Sequence, residues 1–107
     1  MLDEAAQALA DARRDAPQRV ESWLLSATLS RRMSDLEAAQ AEIQTAAALA
    51  PEDPAVGLEA GVIAVLAGQD DAARKSWSSV IELAPETPEA ATARGYLAQL
   101  DNGVPSP

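Results

Sequence analysis

The chain has no cysteine, no histidine and no phenylalanine in its 107 residues, and only two tryptophans and one tyrosine. Without cysteine there can be no disulfide, no thiolate nucleophile and no thiolate metal ligand. Without histidine it lacks the commonest general base and the commonest transition-metal ligand. Acid–base chemistry would have to rest on Asp, Glu, Lys75 or Tyr96, and no nucleophile–base constellation or glycine-rich phosphate loop is present. The expectation is a non-catalytic protein with no catalytic residues, no metal site and no cofactor. Basic charge is also scarce, with 8 Lys and Arg against 17 Asp and Glu and a net charge of −9. Arg13, Arg14, Arg19, Arg31 and Arg32 are interleaved with acids. This balance argues against phosphate neutralisation on nucleic acid and against an anionic membrane surface, and it favours a basic partner. No apolar run approaches the ~20 residues needed to span a bilayer. The acidic start, Met1-Leu2-Asp3-Glu4, does not read as a signal peptide, so a targeting segment or anchor would lie outside this sequence. The compartment is not specified, although these features place the cytoplasm ahead of the periplasm. The preference for Ala, and for Arg over Lys, hints at bacterial GC-rich coding.

Alanine and leucine dominate what is present, and both are strong helix formers, whereas strand formers are few. The expected fold class is all-α. The chain also repeats itself. Pro17, Pro51 and Pro85 are each 34 residues apart. Ala5, Ala39 and Ala73 keep the same spacing, as do Ala16, Ala50 and Ala84. Large apolar residues recur at Leu9, Ile43 and Trp77, with Ala12, Ala46 and Val80 beside them. Ala27, Gly61 and Gly95 form a series of small residues, followed two positions later by Leu29, Ile63 and Leu97. Helices are predicted at about 2–15, 19–32, 35–49, 54–67, 71–83 and 88–100. Asp53-Pro54 and Thr87-Pro88 each set a capping side chain before a proline at the first helical position. Ser34 and Glu37 have the spacing of a capping box. Asp70-Asp71 suits the start of a helix better than a metal site. Gly68 can adopt a left-handed helix end.

This period and pattern resemble the tetratricopeptide repeat family, whose unit is a helix A, a turn, a helix B and a proline. Trp23, Ala27, Ala39, Ile43, Ala46 and Pro51 fall on its signature positions in one repeat, and Ala60, Gly61, Ala73, Trp77, Val80 and Pro85 in the next. Ser26, Ser30 and Gly57 depart from the pattern by being small where the family is usually large. The resemblance implies an α–α superhelix of about six antiparallel helices over residues 1–100, followed by a disordered tail, 101–107. It comprises two full repeats, a leading helix B and a closing helix A. The small series would allow close helix approach, with Trp23 and Trp77 in the core rather than on a stacking platform.

In this family the A helices line a concave surface, so the resemblance implies a protein-interaction scaffold that holds a peptide or helix of a partner. Helical periodicity puts Trp23, Ser26, Ala27 and Ser30 on one face of the first helix A, and Leu24, Thr28, Arg31 and Arg32 on the other. The second face continues as Leu58, Val62, Val65 and Leu66, then as Glu89, Tyr96 and Leu100. The expected groove is Leu24, Leu58, Val62, Val65 and Tyr96, with Thr28 alongside, flanked by Arg31 and Arg32 on one side and Glu89 on the other. The basic carboxylate clamp of the family's chaperone-binding members is absent, since Leu24, Thr28, Glu59, Glu89 and Ala93 occupy the matching positions. The leading stripe of Leu2, Ala5, Ala6, Leu9 and Ala12 lacks a preceding helix A. Further chain upstream or a homodimer through this edge would cover it. The alternative role is an oligomerisation or spacer segment of a larger, membrane-anchored protein.

Overall fold

The computed structural model describes residues 2–102. These form six helices: α1 (Leu2–Asp15), α2 (Val20–Arg32), α3 (Leu36–Leu49), α4 (Pro54–Leu66), α5 (Asp70–Leu83) and α6 (Pro88–Asp101). The fold is all-α. Of the expected tail, Asp101 closes α6 and Asn102 is its C-cap, while 103–107 lie outside the described residues. No helix among the described residues is long and apolar enough to cross a membrane.

The helix ends follow from local chemistry and recur at the sequence period. Ala50 (φ −144°, ψ 73°) and Ala84 (φ −142°, ψ 60°) have left the helical region, as expected for a residue that precedes proline. Ala16, Ala50 and Ala84 each donate to the carbonyl four residues back at 2.9 Å, and their own carbonyls accept from Arg19, Asp53 and Thr87 at 3.1–3.2 Å. After Ala50 and Ala84 the next helix then starts on a side-chain cap, which α2 lacks. The Asp53 carboxylate accepts from the Ala55 N–H and the Thr87 hydroxyl from the Ala90 N–H, each followed by a proline in the first turn.

The turns within each pair also match. Ser34 and Gly68 both have positive φ, 62° and 77°. Asp35 and Gln69 each donate to the carbonyl five residues back at 2.8 Å. This corrects the capping box expected at Ser34. Ser34 occupies the left-handed position that Gly68 fills one period later, and the cap of α3 is Asp35, which accepts from the Ala38 N–H.

Packing is mainly between neighbours in the chain. Each helix lies against the next, most closely in the pairs α2–α3 and α4–α5. The even helices also touch one another, α2 with α4 and α4 with α6, whereas α1, α3 and α5 make no close backbone contact with each other. The molecule measures 40 × 26 × 20 Å. Two core clusters meet at α4. One contains Ala27, Ala39, Ile43, Ala46, Val56 and Ile63, and the other Ala64, Ala73, Trp77, Val80, Ala90 and Ala93. Helix α4 has apolar residues all round and a single charge, Glu59, the composition of a helix enclosed by others.

The small residues have unequal roles. A Cβ on Gly61 would fall inside the Trp77 indole, and one on Gly57 would sit 2.5 Å from Val80 Cγ2. These glycines make room for the large residues of α5, so the α4–α5 pair exchanges bulk between its members relative to α2–α3, where Trp23 faces smaller residues. Gly95, expected to permit the same close approach, instead has nothing within 4 Å of its Cβ position, because among the described residues no helix lies against that face of α6. Trp77 is buried and donates its indole N–H to the Leu58 carbonyl at 3.1 Å. Trp23 is only half-buried. Its N–H donates to the Pro17 carbonyl, and the Arg13 guanidinium covers its ring at 5.2 Å.

Candidate binding groove

Helices α2, α4 and α6 bound a cleft of about 350 Å³. Leu24, Leu58, Val62 and Tyr96 form its apolar lining, with Ala55 between them, and Arg31, Glu59 and Glu89 are its charged walls. The sequence period accounts for this grouping. Leu24 and Leu58 are one period apart, and so are Val62 and Tyr96, so equivalent turns of successive even helices present apolar groups to one side. The Tyr96 ring packs on Trp77, centroids 5.2 Å apart and planes tilted by 47°, a geometry favoured by aromatic quadrupoles. Tyr96 thereby links the cleft to the second core cluster.

Of the residues expected here, Leu24, Arg31, Leu58, Val62, Glu89 and Tyr96 come together. Thr28, Arg32 and Val65 do not line the cleft. Thr28 sits behind it, its hydroxyl 3.1 Å from both the Glu59 carboxylate and the Leu24 carbonyl; with one proton it donates to one of them at a time. Arg32 is exposed and borders a separate apolar depression with Ala5, Leu25 and Leu29. Consecutive helical residues diverge by about 100°, so Arg31 and Arg32 cannot flank the same groove together. Val65 packs on the second core cluster, as does Leu100, whereas Leu66 is exposed.

Glu59 was not among the expected groove residues. Its carboxylate accepts from Arg31 Nε at 2.5 Å and more weakly from Arg31 Nη2 at 3.4 Å. The side chains retain only 12% (Glu59) and 25% (Arg31) of their exposure. The signal in the sequence was available, since Glu59 is the only charge in an otherwise apolar helix. Such a residue has to find a partner or reach water. With Arg31 neutralised, Glu89 is the groove's remaining charge, and it makes no ion pair among the described residues.

A second recess, about 230 Å³, opens between α1, α2 and α3 where Ser26 and Ser30 replace larger residues. The Arg13–Glu42 ion pair occupies its wall at 2.5 Å, and Ser30 donates to Glu42 at 2.6 Å. The buried Ser26 hydroxyl has no hydrogen-bond partner among the described residues. The described residues contain no group of three or more acids placed to hold a metal ion. In Asp70-Asp71, Asp70 begins α5 and Asp71 pairs with Arg74 at 3.3 Å.

Compared with known proteins, the chain matches no family model and has no significant match among curated proteins.

Proposed function

We propose that the chain is a non-catalytic scaffold of tetratricopeptide-type repeats that holds an apolar segment of a partner protein, as a helix or extended peptide, in the cleft of α2, α4 and α6. The repeat reading is supported by turn geometry that recurs every 34 residues. It is also supported by the packing asymmetry. A stack of helix pairs forms a concave surface when equivalent helices of successive pairs lie closer on one side than on the other, and here the even helices touch their equivalents while the odd helices do not. That side would be the inner surface of a superhelix.

The observation that carries the binding reading is the apolar lining of the cleft. Leu24, Leu58, Val62 and Tyr96 are all half-buried and open to it. Covering such surface contributes ~25 cal/mol per Å², offset by the cost of ordering a peptide, so affinities on the order of micromolar are expected. Glu89 and the acidic surface favour a segment that carries a basic residue beside its apolar anchors.

Selection of binders from a peptide display library, followed by NMR titration of the labelled protein, tests this reading. Shifts should concentrate at Leu24, Leu58, Val62 and Tyr96, and Val62→Glu, shown to be folded by circular dichroism, should weaken binding at least tenfold. Shifts confined to the outer surface of α3 and α5, or unchanged binding by Val62→Glu, would refute it.

A further inference from the structure

The two ends of the molecule carry the two halves of one helix pairing. In α3, Ala39, Ile43 and Ala46 are buried in contact with α2; in α5, Ala73, Trp77 and Val80 are buried in contact with α4. One period earlier, in α1, the equivalents are Ala5, Leu9 and Ala12. Ala5 is exposed and the other two are only half-buried, because the backbone of α1 packs against α2 alone and α1 meets α3 only through the Arg13–Glu42 ion pair. At the other end, the face of α4 that receives α5 is Gly57, Gly61 and Ala64. Its equivalents on α6 are Ala91, Gly95 and Ala98, and all three are exposed. The sizes are complementary. Leu9 stands in the place of Trp77, and opposite that place is Gly95, with open space over it.

Charge distinguishes this pairing from a generic apolar contact. Arg94 holds the place of Ser26 and Ala60. Ser26 shares a recess with Ala38, and Ala60 shares one with Ala72. The residue one period before Ala38 is Glu4. At the two internal pairs these facing positions are uncharged, whereas at the two open ends they are an arginine and a glutamate. Neither is ion-paired among the described residues; Arg94 donates only to the Pro85 carbonyl at 3.1 Å.

We propose that a second copy of this chain docks head to tail, its α1 closing on the exposed face of α6, Leu9 seated over Gly95 and Glu4 paired with Arg94. The contact is heterologous, so each junction leaves one free α1 and one free α6, and association continues as an open chain rather than stopping at a dimer. It uses none of the side chains that line the cleft.

Sedimentation velocity of the full chain from micromolar to millimolar concentration tests this proposal. The wild-type average mass should rise with concentration past that of a dimer. Ala5→Glu and Gly95→Leu change exposed positions, so each variant keeps its helical circular dichroism, and each alone should stay monomeric. Mixed in equal amounts they should form a dimer and nothing larger, because one retains an intact α6 face and the other an intact α1 face. Arg94→Glu should weaken association, and adding Glu4→Arg to the same chain should restore it. A wild type that remains monomeric throughout would overturn the proposal. So would association that survives Gly95→Leu, which would indicate α1 pairing with α1, or a mixture of the two variants that stays monomeric.

Discussion

Gly61 and Gly95 lie one 34-residue period apart on α4 and α6, yet their surroundings demand opposite outcomes from one substitution. At Gly61 an added methyl group meets the Trp77 indole, which is 1% exposed and has nowhere to move. Gly61→Ala should cost about 1–3 kcal/mol through overpacking, and Gly61→Leu should cost more. At Gly95 the methyl meets nothing, and the gain in helix propensity should stabilise Gly95→Ala by about 0.5–1 kcal/mol. Urea denaturation of the two variants would show midpoints moving in opposite directions. A loss of stability at both positions would mean that α6 is covered on that face in the monomer. The sequence alone assigned the two glycines one role, because a period reveals equivalence of position and not the presence of a neighbour.

The helix pair α2–α4 is joined across the cleft by Arg31, Glu59 and Thr28. Removing one member leaves the others poorly solvated, so Glu59→Ala should destabilise by about 1–3 kcal/mol. Replacing Arg31 and Glu59 together by methionine should cost much less than the two single changes added, since an apolar pair of similar volume needs no partner. A double-mutant cycle in thermal unfolding measures that coupling, and strictly additive losses would show that the pair contributes nothing across the helices. This element also shows where sequence reading stopped. Helix positions were legible because prolines and caps punctuate them at a fixed spacing. The cap of α3 was misplaced by one residue because Ser34 resembles a cap by residue type, although its repeat partner Gly68 marks a left-handed site. Six of the nine expected groove residues line the cleft, since apolar periodicity selects a helix face. Arg32 and Val65 fall elsewhere because a face about 100° wide does not specify which edge of it meets a neighbouring helix. Glu59, noted only as a departure from the basic clamp, is not expected as a wall of the groove because an acid in a sequence reads as solvated until the helix around it is known to be enclosed.

At the scale of the whole molecule, helices held mainly by their sequence neighbours make stability a local property. Helix α1 packs its backbone on α2 and reaches α3 only through the Arg13–Glu42 ion pair, whereas α4 touches α2, α3, α5 and α6. Opening α1 gives up one packed interface and one ion pair, and opening α4 gives up four packed interfaces. Native-state hydrogen exchange should grade accordingly, with amides of α1 exchanging by local opening and those of α4 only near the global unfolding free energy. Mass spectrometry of exchanged peptides resolves these segments. Equal protection in α1 and α4 at low protein concentration would contradict the one-sided support of α1. At concentrations where copies join head to tail, the same α1 peptides should become slower to exchange.

The two indoles belong to different core clusters, Trp77 within one and Trp23 against the other under the Arg13 guanidinium. The molecule thus carries an intrinsic fluorophore in each half, one dry and one partly wet. With Trp23→Phe or Trp77→Phe, emission comes from a single site, blue-shifted for Trp77 and red-shifted for Trp23, and each half can be watched melting without an added dye.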